Sequence, residues 1–306
     1  MSAPVPLASD RADGLGGWSE LERISECILC AVRDLTRVRG IGHLARCRSC
    51  GHLMLDPRPT QAAIAASYDR GDGVHGSWRE EEAGRRQMWR KRAARTLASV
   101  PGPGRALDVG AGFGDFLAEL TIRGWQVSGT EVSGAAAEVA GNRTSADIFV
   151  GQIADFNAPK GEFDLITMWH VLEHLPDPGA ALGRCAALLA KGGSLIVAVP
   201  NDGLFPRFAA ALLRQALLRS TRRSKAPGYS WRFPLPGQEV HLSYFSVPVL
   251  AAAMRRVALE PDEIGIDDHT PMPTARSARR FRLETAVCRT SRIDIGRTIY
   301  LHARKA

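Results

Sequence analysis

The segment Ala106 to Leu120, ALDVGAGFGDFLAEL, constrains this chain more than any other, because a strand, a glycine loop and a helix start are joined in one run. The apolar residues ending at Val109 read as a buried parallel strand, and Phe116, Leu117 and Leu120 supply the first apolar face of a helix. Gly110, Gly112 and Gly114 fall between them. Glycine is needed where a ligand approaches the backbone closely or a turn demands dihedrals that a Cβ forbids. The helix beyond the loop directs its free N–H groups at whatever lies there, which suits a nucleotide-like ligand.

Spacing narrows that ligand. A dinucleotide fingerprint places its third glycine where this chain has Asp115. Here the pattern is G-x-G-x-G, preceded by Asp108. The strand-like run WQVSGTEV ends at Glu131, roughly 20 residues downstream, where a carboxylate can take both hydroxyls of a ribose. FDLITMWHVLEHLPDP, from Phe163 to Pro178, reads as a fourth buried strand, a loop and a helix opened by Asp177 and Pro178. KGGSLIVAVPN, from Lys191, reads as a glycine helix stop and a fifth strand. A flexible glycine turn in an unrelated α/β protein would explain the glycines alone, but not these segments in this order.

In these motifs the chain resembles the class I methyltransferases that depend on S-adenosyl-L-methionine (AdoMet). The resemblance implies an α/β fold, a Rossmann-like seven-stranded sheet with helices on both faces. It also implies cofactor contacts residue by residue. Asp108 would orient the amino-acid end, Gly110, Ala111, Gly112 and Gly114 would give close backbone approach, Glu131 would bind the ribose, and Val132 next to it would also touch the cofactor. Gln152 and Ile153 fall where the family has an acidic residue for the adenine; the departure to Gln152 keeps a hydrogen-bond acceptor without its charge. Trp169 and His170 would flank the sulfonium. For the acceptor's proton, His170 is the first candidate base and His241, in EVHLSYFS, the second, with Glu173 and His174 beside them. Loop-fixing hydrogen bonds are the plainer role for Glu173 and His174, and anchoring of the insertion is that for His241. The string HVLEH also fits a zinc-protease pattern, but that chemistry needs both histidines on one helix, and Pro176 and Pro178 interrupt any helix here.

Cysteine spacing is the second strong signal. Cys27, Cys30, Cys47 and Cys50 spell C-x2-C-x16-C-x2-C with Gly51 directly after, two knuckles able to offer four thiolates to one structural Zn2+. Disulfides are disfavoured in a chain that shows no export signal, and a redox site needs only one C-x-x-C. With four protein ligands no position is left for a substrate. Cys185, in a helical pattern, and Cys288, in a strand-like one, read as buried apolar residues.

These signals divide the chain into a flexible tail (1–20), a zinc ribbon (21–59), a helical connector (60–100) and a catalytic domain (101–306) with a helical insertion at about 201–240. This plan resembles the zinc-ribbon methyltransferases associated with sugars and polysaccharides, and implies a sugar or glycan precursor methylated on oxygen or carbon. The deoxysugar C-methyltransferases match only in part, since they carry a further C-terminal domain for which there is no room. The insertion holds an amphipathic run, residues 204–225, that reads as a lid or as an interfacial helix touching anionic lipid. The net charge of +8 is mostly arginine spread along the 306 residues, so it argues only weakly for nucleic acid. A zinc-ribbon RNA methyltransferase and a non-enzymatic scaffold are the alternatives. The first lacks the aromatic and basic surface that stacks on bases; the second is disfavoured by the intact Asp108, glycines and Glu131. The polar N-terminus predicts no signal peptide, and no stretch approaches the ~20 apolar residues of a membrane span, so a cytoplasmic location is expected.

Overall fold

The computed structural model describes residues 17–38, 43–68, 82–202, 233–267, 275–291 and 297–306. The N-terminal part contains β1 (Leu21–Glu22), β2 (Leu35–Arg37), β3 (Leu44–Cys47), β4 (Leu53–Leu55) and β5 (Arg58–Pro59), followed by α1 (Gln61–Tyr68) and α2 (Glu82–Ser99). The alternating elements are β6 (Arg105–Val109), α3 (Asp115–Thr121), β7 (Gln126–Glu131), α4 (Gly134–Thr144), β8 (Asp147–Val150), β9 (Phe163–Trp169), α5 (Pro178–Leu188) and β10 (Leu189–Pro200). Then come β11 (Ser243–Tyr244), α6 (Val247–Arg256), β12 (Leu259–Gly265), α7 (Ala275–Ser291) and β13 (Thr298–Lys305).

Seven strands form the central sheet in the order β12-β13-β10-β9-β6-β7-β8. β6, β7, β8, β9 and β10 run parallel, and β13 is antiparallel to both its neighbours. Strands covered by helices on both faces are apolar nearly throughout, and Ala106 to Val109 and Leu195 to Val199 are buried along their length, with Asp108 the charged residue among them. The chain steps outward from β6 to β8, then returns to the other side of β6 as β9. That reversal opens a crevice at the carboxyl ends of β6 and β9, where ligands of such sheets sit.

Local chemistry sets the helix starts around this crevice. Ser133 accepts from the Ala136 N–H and Asp177 from the Ala180 N–H, with Pro178 in the first turn of α5, as expected of caps. Gly114 caps α3 at φ 74°, and a Cβ there would meet Ala140 Cα at 2.9 Å, so this glycine serves the packing of α3 on α4.

The N-terminal module is joined to the sheet by backbone. β11, which follows the insertion, completes a four-stranded sheet ordered β11-β4-β3-β2, pairing Ser243 with Met54 and Tyr244 with Leu53. One residue earlier, the Leu242 N–H donates to the Glu173 carbonyl at 2.8 Å and the Leu242 carbonyl accepts from Leu55 at 3.0 Å. Cys27, Cys47 and Met54 share one core with Leu107, Val109, Leu250 and Met254.

Several expectations shift. Part of the stretch read as a tail is anchored: Trp18 Nε1 donates to the Pro234 carbonyl at 2.6 Å and the Glu20 carbonyl accepts from Thr60. β10 begins at Leu189, directly after α5, and its register shift between Leu189 and Ser194 absorbs the glycines read as a helix stop. Cys288 lies within α7, whose arginine-rich sequence had masked the helix. Residues 204–225 lie outside the described residues, so neither lid nor lipid contact is addressed there. Among the described residues no helix is long and apolar enough to cross a membrane.

Candidate functional site

The glycine loop leaves β6 at the crevice. Gly110 and Gly112 have φ of 71° and 54°, conformations closed to most side chains, and a Cβ at Gly110 would strike Val171. The Gly110 and Ala111 amides donate to the Thr130 carbonyl at 2.8 and 2.9 Å, tying the loop to β7. Glu131, at the end of β7, accepts from the Gly112 N–H through Oε2 and from the Ser133 N–H through Oε1, both at 2.9 Å. Each carboxylate oxygen keeps a further lone pair for a ligand hydroxyl. Beside it, Val132 and Val150 stand 68% and 56% exposed at the tips of β7 and β8, an apolar rim suited to a flat heterocycle. Gln152 is half-buried on the following turn, whereas the Ile153 side chain belongs to the core.

Asp108 is fully buried at the base of the loop and accepts from Thr167 Oγ1 at 2.6 Å. Burial pushes its carboxyl up to about 7, Glu131 adding to the rise while Thr167 and Arg92 oppose it. A carboxylate in this position lacks a full counter-charge and is stabilised by any cation that reaches it.

The opposite wall begins at the tip of β9. Trp169 does not face the loop; its ring packs inward against Phe116 and Tyr300, with the Arg92 guanidinium 4.7 Å from its centroid. His170 follows with φ 58°, and its N–H donates to the Ala198 carbonyl. Its ring lies between two carboxylates, Nδ1 3.5 Å from Glu173 and Nε2 3.5 Å from Asp267. Burial disfavours its charge, but Asp267 and Glu173 outweigh that and raise its pKa above the ordinary histidine value. The two carboxylates thus favour the charged form of His170, which weighs against the base role its position implied. Burial disfavours the Glu173 carboxylate, but His170 and His174 beside it outweigh that and hold its pKa down at about 2.

His174 and His241 meet edge to face, ring centroids 4.8 Å apart. Burial, with His174 beside it, pulls His241 down to about 4, so its ring is neutral near pH 7. Sequence reasoning missed what lies behind His170. Arg92, on α2, is buried and bidentate on Asp267, after β12, and this pair fixes the wall from the connector side. Arg92 sits in the charged run WRKRAAR, where nothing but the flanking apolar spacing of Met88 and Trp89 marks one arginine as internal.

The four cysteine sulfurs form a separate cluster. Cys27 Sγ is 3.6 Å from Cys50 Sγ and Cys30 Sγ 3.7 Å from Cys47 Sγ, and all four lie within 4.8 Å of one another. Zn–S bonds of about 2.3 Å in a tetrahedron separate sulfurs by roughly 3.8 Å, so the donor set fits that ion. The two knuckles turn alike: Ala31 has φ 58° and Gly51 φ 77°, with Ala31 N–H donating to Cys27 and Gly51 N–H to Cys47.

A parallel sheet with its switch point beside a glycine loop, closed by an acidic residue on the next strand, defines a nucleotide-cofactor α/β fold. Residues 81–264, more than half of the chain, match the family described as "Methyltransferase domain", and the chain belongs to that family. The ubiquinone biosynthesis O-methyltransferase of Alkalilimnicola ehrlichii is 36% identical over 131 residues, 38% of this chain and 51% of that protein. The protein of the same name from Rhodopseudomonas palustris is 32% identical over 166 residues, 52% of this chain and 64% of its own length. The chain thus spans between half and two thirds of these relatives. A solved complex of the Haloferax volcanii Trm112 methyltransferase activator and a methyltransferase matches with a TM-score of 0.51 at 17% identity, covering 75% of this chain and 95% of the matched one, a likeness of fold.

Proposed function

We propose that the chain transfers a methyl group from AdoMet to an oxygen or carbon of a small molecule. The observation that carries this is Asp108, a buried carboxylate without a full counter-charge, set beside the free lone pairs of Glu131 and the exposed Val132 and Val150. An ammonium, a ribose diol and an adenine match these three features in turn. Bound there, AdoMet supplies a methyl group activated on a positive sulfur.

The chain's residues then have three tasks. Asp108, Gly110, Ala111 and Gly112 hold the amino-acid end, and Glu131 fixes the ribose. Val132 and Gln152 border the adenine. The wall of Glu173, His174 and His241 takes the acceptor and favours loss of its proton, while Arg92 and Asp267 hold His170 in place behind it. Cys27, Cys30, Cys47 and Cys50 hold a zinc that stabilises the module. The relatives' names favour an O-methylation; a sugar or glycan precursor as acceptor rests on the cysteine-module plan alone.

Calorimetric titration with AdoMet tests the reading, repeated on Glu131→Ala. Binding by the wild type, weakened at least tenfold in the variant, is the expected result and licenses transfer assays with methyl-labelled AdoMet on phenols, sugar nucleotides and RNA. Well-folded wild type that binds no AdoMet would overturn the proposal.

A further inference from the structure

We infer that Glu173, His174 and His241 form a binding site for one divalent transition-metal ion on the acceptor side of the crevice. One ligand atom from each lies within 4.8 Å of the others. Bonds of about 2.1 Å hold neighbouring ligands roughly 3 Å apart, so an ion would draw them inward by about 1 Å or more, a change side-chain rotation can make. The backbone is already set for this. Glu173 and His174 share the 3-10 turn Leu172–His174, and the Leu242 N–H on the Glu173 carbonyl fixes His241 opposite.

Two further observations point to a ligand. His174 Nδ1 lies 2.8 Å from the Val240 carbonyl, which can only accept, so the proton is on Nδ1 and the lone pair on Nε2. A metal-binding histidine is oriented by this kind of bond from its other nitrogen. Glu173 is 1% exposed, and neither carboxylate oxygen has a hydrogen-bond partner among the described residues. The nearest ring nitrogens, His170 Nδ1 at 3.5 Å and His174 Nε2 at 4.0 Å, lie beyond ordinary hydrogen-bond length. A buried carboxylate with unused lone pairs beside two imidazoles presents the donor set of a metal ion.

Two imidazoles and one carboxylate favour Mn2+, Fe2+, Co2+, Ni2+ or Zn2+ over Mg2+ or Ca2+. Three protein ligands leave positions open. Resting on the proposed methyl transfer, the ion's role follows: an acceptor hydroxyl bound at an open position becomes more acidic and loses its proton to solvent. Its oxygen then forms the bond to the methyl carbon as the carbon–sulfur bond breaks.

The test adds Mn2+, read by electron paramagnetic resonance, and Co2+, read by visible absorption, to full-length protein whose cysteine site is already filled with zinc. AdoMet affinity is measured alongside by calorimetry. Uptake of one ion per chain, weakened at least tenfold in His241→Ala and in Glu173→Gln with AdoMet affinity kept, is expected; if Glu173→Gln does not fold, His241→Ala decides alone. Wild type that binds AdoMet but neither ion, or uptake unchanged in His241→Ala, overturns the site. Wild type that takes up the ion but no AdoMet supports the site and defeats the methyl-transfer reading instead.

Discussion

The two walls of the crevice are built in opposite ways. The side proposed for the cofactor is largely local: Asp108, the glycines and Glu131 come from one strand–loop–helix–strand run, and the hydrogen bonds of its loop and of Glu131 described above stay within that run, while Thr167 on β9 holds Asp108. The side proposed for the acceptor is assembled from distant segments, with Glu173 and His174 from a turn, His241 from beyond the insertion, Asp267 from the residues just after β12 and Arg92 from α2. A local cradle can be preserved by a handful of neighbouring residues. A gathered wall depends on the whole fold, including the N-terminal module that pairs with β11.

That contrast breaks most severely at the cysteines. Zinc in small cysteine sites contributes about 10–16 kcal/mol of apparent binding free energy, so Cys47→Ala should unfold the module. Amide exchange should rise across residues 43–59 and 242–245 while calorimetry still detects AdoMet; loss of AdoMet binding as well would show that the two walls are not separable. Next in size is Arg92→Met. It strands the buried Asp267 carboxylate, whose pKa the guanidinium holds far below the usual range against the effect of burial. Breaking such a pair costs about 3–5 kcal/mol, and adding Asp267→Asn should restore more than half of that in urea unfolding.

Asp108→Asn sharpens the comparison from the cofactor side. Because the folded carboxyl sits near 7 against 3.8 when unperturbed, the fold binds protons more tightly than the unfolded chain. Stability of the ligand-free protein therefore falls as pH rises from about 4 to about 7 and levels off above. The asparagine variant should lose this slope and melt higher at pH 8, yet bind AdoMet at least tenfold more weakly for want of a charge-assisted bond. A variant with unchanged affinity would remove Asp108 from the cofactor site. The smallest effect belongs to the knuckles. Ala31→Gly should relieve a left-handed alanine and stabilise by roughly 0.5–1 kcal/mol, and Gly51→Ala should do the reverse, since only its φ and not its surroundings resists a Cβ. Zinc-competition titrations would register both.

How much was legible in the sequence follows the same division. The paired C-x2-C knuckles, the glycine loop and the acidic strand end are recorded in spacing, because each ligand set is held by residues adjacent along the chain. The seven-stranded sheet was implied by the family resemblance that these motifs carry. The Arg92–Asp267 pair, 175 residues apart, leaves no spacing to read, and Arg92 resembles any of its charged neighbours. Trp169 misled for a related reason: at a strand tip the backbone faces the ligand, but the side chain's direction is set by the cluster of Trp89, Phe116 and Tyr300 it joins. The partnership of β11 with β4 is equally silent, since a two-residue strand has no periodicity.

The hydrogen bonds around that short strand bear on how such a chain can change. Asn201 bridges to Phe245, the Asp202 N–H donates to the Phe245 carbonyl, and Leu242 is held between Glu173 and Leu55. The two ends of the insertion are therefore stitched to fixed backbone before and after it. Residues within it can be lengthened, shortened or exchanged while His241 stays opposite Glu173.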